Sequence, residues 1–197
     1  YAFVIKVLTW RKMMKKQSIA ILVAYASLVS MEGHAKTPFT LTSADFVPGQ
    51  PVAQKHMLNG FGCTGGNQSP QLSWHGAPKG TKSFVLTMYD PDAPTGSGWW
   101  HWVVYNIQAQ ETDLPAGVGQ GAVLPAGAIE AHNDGGEAHY GGPCPPQGAS
   151  AHRYILTVHA LDVDKLGVPE NASPAMIGFM AGMHQLGKAT LKVKVKR

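Results

Sequence analysis

Charge is scarce in this chain. Only 14% of its 197 residues are Asp, Glu, Lys or Arg, whereas 44% are hydrophobic. That balance excludes a chain disordered by composition and allows a real core. Cysteine is scarcer still: Cys63 and Cys144 are the only two, and no Cys-x-x-Cys spacing is present to suggest zinc. There is no His-x-x-x-His or Glu-rich metal signature and no Gly-x-Ser-x-Gly nucleophile. No apolar run is long enough to span a bilayer well. No internal repeat or low-complexity linker follows Ala35, and the length suits one domain.

What charge there is has an uneven distribution. The formal net charge is +4, which would suggest a nucleic-acid binder. Yet five of the 16 Lys and Arg (Lys6, Arg11, Lys12, Lys15 and Lys16) and one of the 12 acids (Glu32) precede Lys36. From Lys36 onward bases and acids balance at eleven each. The charge argument for nucleic acid therefore disappears. The basic start leads into the apolar run Ile19 to Val29 and then Gly33-His34-Ala35, the pattern of a secretory signal peptide. The expected organisation is an upstream extension over residues 1–13, with Met13 or Met14 as the start. A signal peptide over 14–35 is cleaved after Ala35, and a single domain covers 36–197. A periplasmic or secreted protein follows, with no stable membrane span after cleavage. In an oxidising compartment Cys63 and Cys144 read as one disulfide; two buried thiols or half a metal site are the alternatives.

Alternation of apolar and polar residues predicts strands at Phe39 to Thr42 and Gln71 to Trp74. Ser83 to Tyr89 is apolar almost throughout and reads as a central strand; Trp102 to Ile107 and Arg153 to Leu161 are two more. One helix is expected, with Ser173 as its cap, Pro174 in the first turn and Gly187 at its end. Its stripe of Met176, Met180 and Met183 reads as core packing rather than a pliable binding face. The last segment, Thr190 to Lys196, alternates apolar residues with Lys. It reads as an edge strand whose lysines discourage further pairing, with an anionic-surface patch as the alternative.

Polar chemistry gathers in two places. Asp90-Pro91-Asp92-Ala93-Pro94 follows the central strand and leads to Trp99-Trp100-His101-Trp102. Prolines fix the backbone around two carboxylates, and Ala93-Pro94 is a candidate cis bond. Simple alternation puts His101 and Val103 on one face and Trp102 and Val104 on the other. A histidine beside a Trp wall and near carboxylates suits an anion site. The second place is Gly141-Gly142-Pro143, whose backbone N–H groups can approach a ligand closely, followed by His152-Arg153-Tyr154. His152 and Tyr154 share one strand face, and Arg153 points away. His132, His139, His159 and His184 lack such company and read as structural or surface residues.

These motifs resemble the phosphatidylethanolamine-binding protein family, which includes the Raf kinase inhibitor protein. The resemblance rests on Asp90 to Pro94, Trp99 to Trp102 with Asn106, Gly142 to Pro146, and His152-Arg153-Tyr154, with Ser69 to Trp74 as an early strand. It is closest to the bacterial branch. It implies a β-rich fold with a few peripheral helices, built on a large central antiparallel sheet and a smaller sheet. It also implies a pocket for a small phosphate-like or carboxylate anion, lined by Asp90, Trp99, His101, Gly142, Pro143, His152 and Tyr154. Asp92 and Pro94 are further candidates, and Asp92 serves alternatively to brace the loop. No cofactor and no metal site are implied. A non-enzymatic binding protein is the leading expectation. A kinase or protease inhibitor, or a metal-dependent hydrolase using Asp90, Asp92, His101 and His152, stands as the alternative. Apolar surface near Trp99 to Trp102 allows a homodimer.

Overall fold

The computed structural model describes residues 37–197. The expected upstream extension, signal peptide and cleavage after Ala35 lie outside the described residues. The apolar segment Ser83 to Tyr89 forms β5 (Ser83–Asp90), buried on both faces at the centre of a five-stranded antiparallel sheet. It is flanked by β6 (Trp99–Gln108) and β9 (His152–Leu161). Strands β8 (Ile129–Glu130) and β10 (Gln185–Val195) form the edges, in the order β10-β9-β5-β6-β8. A smaller sheet holds β1 (Thr40–Thr42), β4 (Leu72–His75) and β7 (Asp113–Leu114), and β2 (Asn59–Gly60) pairs with β3 (Cys63–Thr64). The protein is therefore mostly β, with a large antiparallel sheet and smaller ones.

Side-chain alternation divides the core in two. Leu86, Trp102, Val104, Tyr154, Leu156 and Val193 face Leu72, Trp74 and Leu114 of the smaller sheet. Val85, Val103 and Tyr105 point the other way, beneath helix α1 (Pro174–Met183). A fully buried Leu, Val or Phe contributes about 1.5–3 kcal/mol, so these two layers clamp the central strands.

The helix differs from expectation at two points. Ser173 does cap it, accepting a hydrogen bond from the Met176 N–H, but it ends at Met183, with His184 as cap. The chain then enters β10 at once, because Gln185 pairs with Leu161. Gly187 lies in that strand, where an added Cβ would sit 2.8 Å from the Pro78 ring. The methionine stripe is also not the core face. Ile177 and Ala181 are buried, whereas Met176 and Met183 are exposed and Met180 is only half-buried. The helix is apolar nearly all round, so no polar face marked which side turns inward. The final strand behaves as read: Leu191, Val193 and Val195 are buried, and the lysines between them are exposed on an edge.

Candidate functional site

A cavity of about 630 Å³ opens at the ends of β5, β6 and β9. Its lining includes Asp90, Pro94, Trp99, His101, Gly142, His152 and Tyr154. Two expected members lie elsewhere. Pro143 is buried outside the lining, its carbonyl accepting a hydrogen bond from the Leu58 N–H at 3.1 Å. Asp92 turns away to Arg153, which approaches it through Nε at 2.9 Å and Nη2 at 2.7 Å. Those hydrogen bonds hold the Asp92 carboxyl far below its ordinary range. Asp92 is thus a brace between its loop and β9, and it is drawn off from any four-ligand set with Asp90, His101 and His152.

The back of the cavity is a buried pair. Asp90 is 2% exposed and His152 is 5% exposed. Asp90 Oδ2 lies 2.8 Å from His152 Nδ1, and its Oδ1 accepts the Asp92 N–H at 2.8 Å. A carboxylate can only accept, so His152 carries a proton on Nδ1. His101 is fixed in the same way, with Nδ1 2.9 Å from the Gly141 carbonyl. Its ring meets Tyr154 edge-on, with centroids 5.1 Å apart. Burial pushes the His101 pKa below its ordinary value, against the opposing pull of the Gly141 carbonyl and of Asp90 and Asp134. Burial, then the charge of Asp90, pushes the Tyr154 phenol up, so it keeps its proton. Neither histidine Nε2 has a hydrogen-bond partner among the described residues.

His101 reaches this position through a β-bulge. Met88 pairs with Trp102 and Tyr89 with Trp100, leaving His101 as the extra residue. An extra residue breaks strict alternation. His101 therefore sits beside Tyr154 on the Trp102 side, not with Val103 beneath the helix as alternation predicted. A second bulge between Phe84 and Leu86 places Asn106 at φ 58°, where its Oδ1 accepts the Leu166 N–H at 2.7 Å.

The glycine segment also differs from expectation. The Gly141 N–H donates to the His101 carbonyl at 2.9 Å, and the Gly142 N–H donates to Asn67 Oδ1 at 2.7 Å. Neither is free for a ligand. Gly142 is glycine because a Cβ there would lie 2.4 Å from the His56 carbonyl oxygen and 2.5 Å from the Leu58 nitrogen. The close approach is to the protein's own backbone. Ala93-Pro94 is likewise not cis, as no cis bond occurs among the described residues. The loop turns instead through a tight bond from the Thr95 N–H to the Ala93 carbonyl at 2.8 Å, a geometry that fits a trans proline at its centre. Cys63 and Cys144 form the expected disulfide, at the edge of the mouth.

Sequence and structure comparisons agree with this fold. The phosphatidylethanolamine-binding protein family profile matches residues 42–196. The chain belongs to that family. The chain is 48% identical to the UPF0098 protein YbcL of Escherichia coli over 155 residues, covering 78% of this chain and 85% of that protein. It is 50% identical to UPF0098 protein YbhB of the same organism over 152 residues, covering 77% and 96%. The crystal structure of E. coli YbcL, described as a member of the mammalian PEBP family, superposes with a TM-score of 0.78 at 44% identity, covering 82% of this chain and 99% of that one.

Sequence reading missed several contributors to this phosphatidylethanolamine-binding protein fold's cavity. Asn67, at φ 50°, links two loops by accepting from Gly142 and donating to the Tyr140 carbonyl at 2.9 Å. Asn133 shapes the 133–139 turn, accepting from Gly135 and Glu137 and donating to the His139 carbonyl. His139, expected to be structural or surface, lines the mouth with Glu137 3.7 Å away. Phe61, 80% exposed at φ 49°, stands at the rim with Leu58, Pro145 and Pro146. The Gly-Gly-Asn and Asn-Asp-Gly-Gly runs were the available signals, since both mark turns that need left-handed backbone.

Proposed function

We propose that this is a non-enzymatic binding protein whose cavity takes a small anionic group, phosphate-like in size and charge, attached to an apolar body. The observation that carries this reading is the anchoring of His101 and His152 through Nδ1. Each imidazole then has one uncommitted nitrogen at one small cavity, beside the Tyr154 hydroxyl. The apolar rim of Phe61, Leu58 and the prolines supports the second half of the reading.

The same geometry sets the charge state of binding. With Nδ1 protonated, a neutral imidazole presents a lone pair at Nε2, which repels an anion. Binding therefore draws a proton onto Nε2 of one or both histidines, or the ligand arrives protonated. Export follows from the basic-then-apolar leader before Ala35 and agrees with a cystine bridge in the domain.

Thermal shift with inorganic phosphate and with phosphoethanolamine tests the binding reading. Phosphate should raise the melting temperature of the wild type and leave His101→Ala and His152→Ala unmoved. Indifference to chelator is expected. A chelator-induced loss restored by zinc favours a metal enzyme, and no anion response in the wild type removes the proposal.

A further inference from the structure

A second concavity, of about 920 Å³, lies between β10 and residues 49–64, on the far side of the Cys63–Cys144 bridge from the cavity just described. Five consecutive residues of β10 and its tail, Lys192 to Lys196, line it. Their side chains alternate between the two faces of the sheet: Val193 and Val195 are buried, and the three lysines are exposed. What five consecutive residues share is the edge of the strand. That edge is unpaired, because β10 ends the five-stranded sheet and the strand's one neighbour is β9.

The groove is also strongly charged. Arg153, Lys192, Lys194, Lys196 and Arg197 line it, and no acidic residue does. Residues 37–197 hold ten Lys and Arg in all, so half of the cations surround one groove in a domain that carries a balancing number of acids. Of the five, Arg153 is neutralised by Asp92, and none of the three lysines forms an ion pair among the described residues. Lysines on an edge strand oppose pairing with an ordinary neutral or basic strand. Opposite charges directly across a strand pair favour it. The same lysines that block indiscriminate pairing thus select for a strand bearing carboxylates at alternate positions.

We propose that this groove is a docking site for an extended acidic peptide segment, added as a strand along the free edge of β10. Backbone hydrogen bonds to the Lys192 to Lys196 edge hold the segment, and its alternate Asp or Glu side chains meet the lysines. The concave shape, walled on the far side by Gln50, Val52 and Gln54, fits one extended chain. A planar anionic membrane would reach the lysines without entering it. The histidines of the anion cavity do not line this groove.

Fluorescence anisotropy on the full chain tests it, with a short labelled peptide alternating Glu and Val. Binding should be saturable and weaken with salt. The double substitution Lys192→Glu, Lys194→Glu should weaken it by about tenfold or more, while Lys79→Glu, a charge reversal outside the groove, leaves it unchanged. A peptide of the same sequence, N-methylated throughout its interior, keeps the charge but cannot form the ladder, and it should lose binding to a similar extent. That comparison needs no protein variant, so it stands if the double substitution impairs folding. Equal binding of the N-methylated peptide reduces the groove to a charge effect and overturns strand addition. Absence of saturable peptide binding, with or without adsorption to phosphatidylglycerol vesicles, overturns the proposal.

Discussion

Asp90, at the end of β5, and His152, at the start of β9, meet Oδ2 to Nδ1 at 2.8 Å, with both side chains almost wholly shielded from water. The carboxylate accepts the Nδ1 proton and so fixes the tautomer. Asp90→Asn keeps the shape but replaces that acceptor with an amide that can also turn its NH2 to the ring. Phosphate affinity should fall, and folding stability should fall by about 1–3 kcal/mol as a buried hydrogen bond loses its charge. Titration calorimetry, with denaturant melts, checks both.

Phosphate binding should strengthen as pH falls from about 8 toward about 5.5, the interval in which an ordinary imidazole gains its proton. His101 takes up its proton reluctantly, because burial lowers its pKa despite the Gly141 carbonyl, Asp90 and Asp134. The free protein behaves oppositely. A histidine whose folded pKa is lowered binds its proton more readily when unfolded, so stability declines as pH drops below the ordinary imidazole value. Bound phosphate should reverse that decline. Calorimetry in buffers of different ionisation enthalpy should register net proton uptake.

Gly142→Ala should destabilise the fold by about 1–3 kcal/mol or more, as overpacking against backbone does. The added methyl meets the His56 carbonyl and the Leu58 nitrogen, neither of which can rotate away. Gly96→Ala has open space at its Cβ but sits at φ 84°, so its cost is local and should be smaller. Paired denaturant curves distinguish the two.

Reducing the Cys63–Cys144 bridge opens a loop of 80 intervening residues. Loop entropy predicts a loss of about 4 kcal/mol. The bridge also ties Phe61 and Pro145, its sequence neighbours, to the mouth of the cavity. Reduced protein should therefore melt lower and bind phosphoethanolamine more weakly, with inorganic phosphate less affected.

The sheet was legible because β5 announces itself: a strand buried on both faces needs an unbroken apolar run, and Ser83 to Tyr89 supplies one. Asp90, His152 and Tyr154 were legible too, as period-two spacing places the last two together. His101 was legible as a residue but not as a direction. One extra residue opposite the Met88–Tyr89 step reverses its face, and nothing in Trp99 to Trp102 marks a bulge. Gly142 was read as a close approach to a ligand, but its crowding comes from the 56–58 backbone, some 84 residues earlier in the chain, a contact that no local pattern signals. The Met176 to Met183 stripe failed because a helix apolar on every side carries no period.

Asp90, His101 and His152 all belong to the three innermost strands of the large sheet. They stand at the cavity end of those strands, and the paired interior that carries them, with Leu86 opposite Val104 and Met88 opposite Leu156, should be among the last segments to exchange with deuterated solvent. The proposed anion would consequently meet a wall carried by the sheet rather than by loops. Entry and departure must be negotiated at the rim, by Phe61 and the 133–139 turn, and residence time should respond to substitutions there while the intrinsic fit of the charged end does not.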